Sequence, residues 1–265
     1  MESKTVPVHR SFDVIGDIAV VNFGEKVKRS QAVEFAKRVI LNNKHIKSVF
    51  MKVGKIEGEE RKSKLRFLYG ENRSLARHAE NGCVFDVDVK KVFFTPRLSS
   101  ERKRILKQVK KGEDVLDMFC GVGPFSIPIA KVANSVYAVD INKDAIRLLE
   151  KNTKLNHINN IVPMCMDARK LPTKVKSKFD RIIMNLPAKA IDFLPYAVKM
   201  CKARCTIHLY SFVYLKDGRK SVKDAEKEIR KKIVGVKVKS IRSIKAGEVA
   251  PHMLRMCFDI AIEKH

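Results

Sequence analysis

The spacing of hydrophobic residues changes near residue 95 and divides the chain into two parts. In the first part, runs rich in β-branched residues surround one stretch of helical periodicity. The elements predicted there are two strands around the Gly16-Asp17 turn within residues 11–22, a helix at 30–43, strands at 47–53 and 83–93, and a charged hairpin at 55–70. This order predicts a small α+β domain over residues 1–95.

In the second part, short apolar runs alternate with amphipathic stretches, which is typical of strands and helices built around a mainly parallel sheet. The predicted strands lie at residues 115–119, 135–140, 161–165, 179–184, 205–212, 236–244 and 256–262. The predicted helices lie at residues 125–132, 143–155, 191–203 and 220–233. Residues 96–265 are therefore expected to form an α/β domain.

The charge of the chain indicates a polyanionic partner. The formal net charge is +26, from 55 Lys and Arg against 29 Asp and Glu, and solubility does not need so large an excess. A solvated basic surface, or adaptation to high salt or high temperature, is the alternative interpretation. Because Trp is absent and aromatic residues make up 7%, an extended stacking platform for single strands is not favoured. We expect RNA or DNA to be the partner.

Cysteine spacing and the absence of long apolar runs indicate a cytoplasmic protein without a metal site. None of the six cysteines forms a C-x-x-C pair, and no histidine stands at a matching spacing from Cys201 and Cys205. The sequence has no N-terminal apolar segment of the signal-peptide type and no apolar run of about 18 residues. We therefore expect reduced thiols and no membrane partner.

A glycine turn follows the strand predicted at 115–119. It reads Asp117-Met-Phe119-Cys-Gly121-Val-Gly123 and precedes a predicted helix. Glycine lets the backbone approach a ligand closely, and a helix N-terminus offers free N–H groups. Ser126 stands where a dinucleotide-binding turn has its third glycine, so the turn alone is a weak signal.

Two further carboxylates strengthen the prediction of a cofactor site. Asp140 ends the strand predicted at 135–140, where a carboxylate can accept hydrogen bonds from both hydroxyls of a ribose. Asp167 follows the strand predicted at 161–165 and can accept from an adenine amino group. Acids at three successive strand ends predict an adenosine-bearing cofactor. The D-x-x-x-G-x-G form of the turn favours S-adenosylmethionine over NAD.

An Asn-Leu-Pro loop follows the strand predicted at 179–184. The amide of Asn185 offers donors and an acceptor to the amide-like edge of a base, and Pro187 shapes a slot without adding an N–H donor. Asn-x-Pro is more often a simple turn, but its place after the fourth strand predicts a substrate loop.

Together these segments resemble the tRNA (guanine-37 N1)-methyltransferases of archaea and eukaryotes. The resemblance rests on Phe94–Arg102, Asp117–Phe125, Val139–Asn142 and Asn185–Leu194. Ser11–Ile18 resembles the start of the α+β domain of that family. The resemblance implies a class I methyltransferase fold, which is Rossmann-like and mainly parallel, with a small N-terminal α+β RNA-binding domain. It implies methyl transfer from S-adenosylmethionine to N1 of the guanosine beside the anticodon.

The resemblance also implies roles for individual residues. Glu101 would be the general base, Arg61 would neutralise charge on the base O6, and Asn185 and Pro187 would frame the guanine. Arg97 would contact RNA or hold the Glu101 segment. The motif and the resemblance together assign the cofactor to Arg102, Asp117, Phe119, Gly121, Gly123, Asp140, Ile141, Asp167, Ala168 and Asn185.

The chemistry is consistent with these roles. The N1 proton of guanine is only weakly acidic, so a carboxylate base needs a nearby cation to stabilise the charge that forms. Glu101 has an alternative interpretation, because Ser99-Ser100-Glu101 also resembles the start of a helix with an acid that suits the dipole. Arg61 lies in the charged run Glu59–Lys62 and has a solvated face as its alternative.

Other activities remain open at this point. The chain begins near the second domain of the family, so we expect a short form without the N-terminal domain, acting as a monomer on the tRNA anticodon loop. A wybutosine-pathway enzyme is the nearest alternative, transferring an aminocarboxypropyl group or methylating a tricyclic intermediate. A non-catalytic RNA-binding protein is another. A DNA or protein methyltransferase is disfavoured, because Ala188 stands where those enzymes place an aromatic residue.

Overall fold

The computed structural model describes residues 12–23, 27–53, 64–215 and 220–264. They form two compact units, which are residues 1–79 with 86–96, and residues 80–85 with 97–265. Arg61, predicted to act on the base O6, lies outside the described residues. None of the described helices has the length and apolar character needed to span a membrane. All six cysteines are free thiols.

The first unit is built on a four-stranded sheet with one helix. Its elements are β1 (Phe12–Ile15), β2 (Ile18–Val21), α1 (Arg29–Asn42), β3 (Ser48–Lys52) and β4 (Leu65–Gly70). The strand order is β1-β2-β3-β4, with β2 and β3 parallel and the other neighbours antiparallel. Ala32, Ala36 and Val39 recur at helical spacing on α1 and pack with Val49 of β3 and Leu68 of β4 in one core.

The Gly16-Asp17 turn joins β1 to β2 as the sequence predicts. Gly16 has φ of 56°, and a Cβ added there would stand 2.3 Å from the carbonyl oxygen of Arg77. Only glycine meets both demands, because other residues rarely adopt this backbone conformation and any side chain would collide with that backbone.

A two-stranded hairpin is divided between the two units. It consists of β5 (Leu75–Glu80) and β6 (Cys83–Asp88). β5 was not predicted from the sequence, and β6 ends at Asp88 instead of residue 93. β5 carries arginine, histidine and glutamate among small residues, so its sequence lacks the alternation of large apolar residues that marks a strand.

The second unit is an α/β domain with five parallel strands. Its helices are α2 (Ser99–Leu106), α3 (Ser126–Ala130), α4 (Lys143–Leu155), α5 (Leu171–Lys174), α6 (Ala190–Met200) and α7 (Val222–Lys232). Its strands are β7 (Asp114–Asp117), β8 (Ser135–Asp140), β9 (Ile161–Cys165), β10 (Phe179–Met184), β11 (Cys201–Tyr214), β12 (Lys237–Ala250) and β13 (Met253–Glu263).

The seven strands form one sheet in the order β12-β13-β11-β10-β7-β8-β9. β11, β10, β7, β8 and β9 are parallel, and β13 runs antiparallel to both β11 and β12. The middle strands carry nearly continuous apolar runs, such as Ile182–Met184, because helices cover both faces of a parallel sheet. The mixed fold with a central, mostly parallel sheet is therefore confirmed.

Several predicted boundaries in this unit were wrong. The helix predicted at 191–203 ends at Met200, and β11 begins at Cys201 instead of residue 205. Cys201 pairs with Phe179 of β10, and this long-range pairing overrides the local helical preference of Lys202-Ala-Arg204. The closing strands are longer than predicted, since β12 is an edge strand whose exposed polar residues hide the strand pattern. The helix predicted at 125–132 is the shorter α3.

Candidate functional site

The carboxyl ends of four parallel strands meet at one edge of the large sheet. β7 ends at Asp117, β8 at Asp140, and β10 at Met184, directly before Asn185. In the ladder, Asp117 lies beside Ile183 of β10, and Asp140 lies beside Cys165 at the end of β9. Polar groups predicted from distant parts of the sequence are thus brought to the edge where α/β sheets bind ligands.

Asp117 lies underneath the glycine turn. Its side chain is fully buried, accepts a hydrogen bond of 2.7 Å from the Ser126 hydroxyl, and lies 3.4 Å from the Phe119 N–H. Burial raises the pKa of the Asp117 carboxyl to about 7, and the nearby charge of Asp140 acts in the same direction. Ser126, which replaces a glycine of the dinucleotide-binding turn, therefore ties α3 to the end of β7.

The two glycines of the turn serve packing and hydrogen bonding. Gly123 has φ of 91°, and an added Cβ would lie 2.5 Å from Cδ1 of Leu149 on α4, so the turn can pack this closely only without a side chain. The N–H of Gly121 donates to Asp140 at 2.8 Å, and the N–H of Asn142 donates to the other Asp140 oxygen at 2.9 Å. The carboxylate at the end of β8 is therefore held rigidly by backbone amides.

The other predicted cofactor residues surround this edge. Ile141 is 38% exposed, Ala168 is buried, and the Phe119 ring meets the Phe193 ring edge-on with centroids 5.1 Å apart. The Asp167 carboxylate caps the turn at residues 168–170 and accepts from the Arg169 side chain. Hydrogen bonds from Arg169 lower the pKa of Asp167, although burial works in the opposite direction.

The Asn-Leu-Pro loop connects β10 to α6. Asn185 and Leu186 are half-buried and Pro187 is buried. The Leu186 carbonyl accepts from the N–H groups of Lys189 and Ala190, which closes the loop into the first turn of α6. The Pro187 carbonyl accepts from the Phe212 N–H of β11 at 3.4 Å, so the loop is also tied to the next strand.

Glu101 is buried on α2, and both of its oxygens accept hydrogen bonds. The Tyr210 hydroxyl of β11 donates to Oε1 at 2.8 Å, and Arg104 donates to Oε2 at 2.7 Å and to Oε1 at 2.8 Å. Burial raises the pKa of Tyr210 well above its usual range, which keeps this hydroxyl a donor. Glu101 stands in the first turn of α2, where an acid suits the helix dipole, so its alternative interpretation as a helix-start acid also fits, although no side-chain hydrogen bond caps this helix.

A chain of hydrogen-bonded ionisable groups continues from Glu101 across the sheet. Arg104 donates to Asp259 at 2.7 Å, and Asp259 lies 2.6 Å from Nδ1 of His208. The other ring nitrogen of His208 lies 2.6 Å from Arg181, which forms a two-point ion pair with Glu113 at 2.8 and 2.9 Å. Burial acts to raise the pKa of Asp259, but hydrogen bonds from His208 and Arg104 outweigh it and hold this pKa well below its usual range. Beyond Glu101, this chain was not predicted from the sequence, because its members lie on α2 and on strands far apart in the sequence.

His208, Cys257 and Asp259 lie close enough together to suggest a metal site, with ligand atoms within 4.8 Å of one another. Arg104 and Arg181 already contact Asp259 and His208, and two guanidinium groups disfavour a further cation there. We therefore assign His208 and Asp259 to the chain of ionisable groups that begins at Glu101, and not to a metal site.

The two remaining predicted arginines have different surroundings. Arg102 is 2% exposed and forms a two-point ion pair with Glu80, with Nε 2.5 Å from Oε1. Its guanidinium is thus already neutralised inside the second unit. Arg97 is exposed just before α2, where it is accessible to a large partner.

Comparison with protein families gives two matches. The model of the TRM5/TYW2 methyltransferase domain matches residues 76–238, and the model of the TYW2 N-terminal domain matches residues 2–73. The first match includes the glycine turn, the strand-end acids and the Asn-Leu-Pro loop.

Curated relatives of known activity are similar over most of the chain. The tRNA (guanine(37)-N(1))-methyltransferase Trm5b of Pyrococcus abyssi is 41% identical over 252 residues, which are 95% of this chain and 74% of the relative. The protein of the same name from Methanocaldococcus jannaschii is 41% identical over 222 residues, which are 82% of this chain but 63% of the relative. A tRNA 4-demethylwyosine(37)-methyltransferase of Saccharolobus solfataricus is 31% identical over 96% of this chain and 94% of its own length.

Solved structures show the same fold. The crystal structure of Pyrococcus abyssi Trm5b has a TM-score of 0.86 at 41% identity, covering 96% of this chain and 75% of that one. A complex of aTrm5 with tRNALeu has a TM-score of 0.83 at 36% identity, covering 96% and 72%. Methanocaldococcus jannaschii TYW2 in complex with AdoMet has a TM-score of 0.70 at 26% identity, covering 96% and 100%.

Asp117→Asn should remove a pH dependence of stability. Because the folded protein holds the Asp117 proton up to about pH 7 while an unfolded carboxyl releases it near pH 4, stability falls as pH rises between these values. The loss is of the order of 4 kcal/mol at most in the unfolding free energy. Denaturant unfolding of the free protein at pH 5 and pH 8 measures the part of this loss that lies above pH 5. The Asn variant should show a smaller difference than both the wild type and the control Asp192→Asn, which removes an exposed carboxylate. Equal differences in all three proteins would contradict the burial argument.

Proposed function

The chain belongs to the TRM5/TYW2 methyltransferase family, and from this premise we propose that it transfers a methyl group from S-adenosylmethionine to N1 of guanosine 37 in tRNA. The observation that carries the proposal is the edge of the parallel sheet, where the fixed carboxylate of Asp140 ends β8 and the amide of Asn185 directly follows β10, with β7 between these two strands. The relatives at 41% identity support the same activity.

The residues at the glycine turn fit S-adenosylmethionine. The Asp140 carboxylate is held by two backbone N–H groups and keeps lone pairs that can accept from ribose hydroxyls. Ile141 and Ala168 offer apolar surface for an adenine ring, and Asp167 offers an acceptor beside it. When bound, S-adenosylmethionine supplies a methyl group attached to a positively charged sulfur, which is a strong electrophile.

Glu101 is proposed as the general base for the N1 proton. A carboxylate has about four lone-pair sites, so the contacts with Tyr210 and Arg104 leave capacity for the N1–H of guanine. As the N1–H bond breaks, its proton passes to Glu101 and the electron pair left on N1 forms the bond to the methyl carbon. The methyl–sulfur bond would break with its electron pair staying on sulfur, so the sulfur and the methylated guanine would both be neutral and Glu101 would hold the proton.

Tyr210 and Arg104 are proposed as positioning residues for that base. Each fixes a different lone pair of the Glu101 carboxylate, and Arg104 is itself fixed by Asp259. Asn185 would bind the amide-like edge of guanine, and the buried Pro187 would shape the slot around it. Arg61 is proposed to neutralise charge on O6, as the family resemblance implies.

Transfer RNA is the proposed partner. The charge of +26 suits a polyanion, and the exposed Arg97 would contact the RNA backbone near the site. Binding at the anticodon loop, a monomeric state and a cytoplasmic location stay predictions, as do the two domains at residues 1–95 and 96–265.

A second candidate is methylation of a tricyclic wyosine intermediate at the same position. It is favoured by the match of residues 2–73 to the TYW2 N-terminal domain and by the 31% identical 4-demethylwyosine methyltransferase, whose length the match nearly spans. The higher identity to the guanine-37 enzymes places this second.

Incubation with labelled S-adenosylmethionine and an unmodified tRNA transcript tests the proposal. A transcript with adenosine in place of guanosine 37 is the control, and digestion to nucleosides identifies the product. Label in N1-methylguanosine from the first transcript alone is expected. Label that appears only with tRNA carrying 4-demethylwyosine would replace the proposal with the second candidate, and failure with every tRNA despite cofactor binding would refute both.

Glu101→Gln should slow the chemical step without changing cofactor affinity. The amide cannot take the N1 proton, so we expect the single-turnover rate to fall by about 10²–10⁴-fold. Calorimetry with S-adenosylmethionine measures the affinity, and the exposed Glu150→Gln on α4 serves as the matched control. An undiminished single-turnover rate would remove Glu101 as the base.

Binding of tRNA should weaken steeply with salt. Lys and Arg contacts to phosphates release counterions, so six to ten such contacts reduce the association constant by about 10³–10⁵-fold between about 50 and 200 mM salt. Filter binding or fluorescence anisotropy measures the slope, with cofactor affinity in the same buffers as control. A flat response would show that the positive charge serves another purpose.

A further inference from the structure

Arg255 is a buried arginine that the mechanism above does not use. It lies on β13 opposite Phe212 of β11, is 9% exposed, and has its guanidinium carbon 5.8 Å from the centre of the Phe212 ring. Within the part of the chain that the structure describes, no carboxylate pairs with Arg255 and its buried Nε has no hydrogen-bond partner.

The other inward-facing arginines of this unit differ from Arg255 because each of them forms an ion pair with a carboxylate. Arg102 pairs with Glu80, Arg104 with Glu101 and Asp259, and Arg181 with Glu113. A buried charge without such a partner is costly, and it is maintained where a ligand supplies the missing partner. Burial lowers the pKa of Arg255, and the charge of Arg102 acts in the same direction, so an anionic oxygen nearby would relieve both effects.

Arg255 lies close to two parts of the proposed substrate site, which are the Glu101 carboxylate and the Asn-Leu-Pro loop. Residues two apart in a strand share a face, so Arg255 and Cys257 face the same way, about 7 Å apart along β13. Cys257 lies opposite Tyr210, whose hydroxyl donates to Glu101. Phe212, the residue opposite Arg255 on β11, donates its N–H to the carbonyl of Pro187 in the Asn-Leu-Pro loop.

We propose that Arg255 is a catalytic residue whose guanidinium binds O6 of the target guanine and stabilises the negative charge that develops there as the N1 proton moves to Glu101. The assignment rests on the proposed function. It adds a second donor to an oxygen that has two lone pairs, so it is compatible with a role for Arg61 at the same atom. A desolvated cation is strongly effective at this position, because low local polarity strengthens its interaction with developing charge.

The test compares Arg255→Met and Arg255→Lys with the wild type and with Arg204→Met. Arg204 lies at the opposite end of β11, is 88% exposed at its side chain and pairs with Glu263, so this control removes the same charge far from the site. Three quantities are measured for each protein: the single-turnover rate of methyl transfer to guanosine 37 across pH, the calorimetric affinity for S-adenosylmethionine, and the melting temperature without ligands.

Arg255→Met should lower the single-turnover rate by about 10²–10³-fold, the usual effect of removing one donor to a developing oxyanion. In its pH–rate profile, the inflection that reports ionisation of the bound guanine at N1 should move to higher pH, because the guanine ionises less readily without the cation. Cofactor affinity should stay the same, and the melting temperature should not fall, since the variant loses an unpaired buried charge. Arg255→Lys should recover part of the rate, because it keeps the charge without the planar fork.

Four results would overturn the assignment. With an active wild type, an unchanged rate and profile in Arg255→Met would show that the cation does not touch the reacting base. Weakened cofactor affinity with a full rate at saturation would assign Arg255 to the cofactor carboxylate instead. A lower melting temperature together with an unshifted pH profile in both Arg255 variants would indicate a structural role. A wild type that methylates no guanosine 37 would refute the proposed function, and this assignment with it.

Discussion

The row of hydrogen-bonded ionisable groups between α2 and the sheet is the interaction on which the proposed active site depends. Glu101, Arg104, Asp259, His208 and Arg181 follow one another at hydrogen-bond distance, and Glu113 ends the row. Each member satisfies its neighbours, so ionised groups can be buried at tolerable cost. The same contacts prevent the short helix α2 from sliding on the strands, which fixes the carboxylate that the proposed chemistry requires. An isolated acid on an eight-residue helix would have no such fixed position.

The parallel sheet contributes a second constraint, because its ladder brings the ends of distant segments together. Asp117 accepts a hydrogen bond from Ser126, which follows the glycine turn, and Asp140 accepts one from Gly121 within the turn, although both residues end neighbouring strands. Their surroundings separate their roles. The first is fully buried and keeps its proton to about pH 7, and the second is held by two amides at the edge of the sheet. Similar residues at similar positions can thus shape a turn or offer acceptors to a ligand.

Positive charge in this protein has two roles, one at the surface and one in the interior of the second unit. The excess of 26 positive charges is spread over surface lysines and arginines, where it suits long-range attraction of a nucleic acid. Inside the second unit the other arginines that face inward pair with carboxylates, and Arg255 departs from this rule where β13 lies beside Phe212 of β11, whose N–H contacts the Asn-Leu-Pro loop. Surface charge would attract the RNA to the protein, and the buried, unpaired Arg255 would lie where the target guanine is held.

The sequence by itself determined the alternation of strands and helices around the parallel sheet and the residues at the strand ends. β8, α4, β9 and β10 agree with their predicted bounds residue for residue, because amphipathic periodicity and flanking turn residues are local properties. Only the tertiary structure decided that Cys201 belongs to a strand, that β5 exists, and that Tyr210 holds Glu101. Those facts depend on partners up to 109 residues apart in the chain, which no local pattern records. For the same reason Arg255 looked like any other strand residue until its neighbours were known.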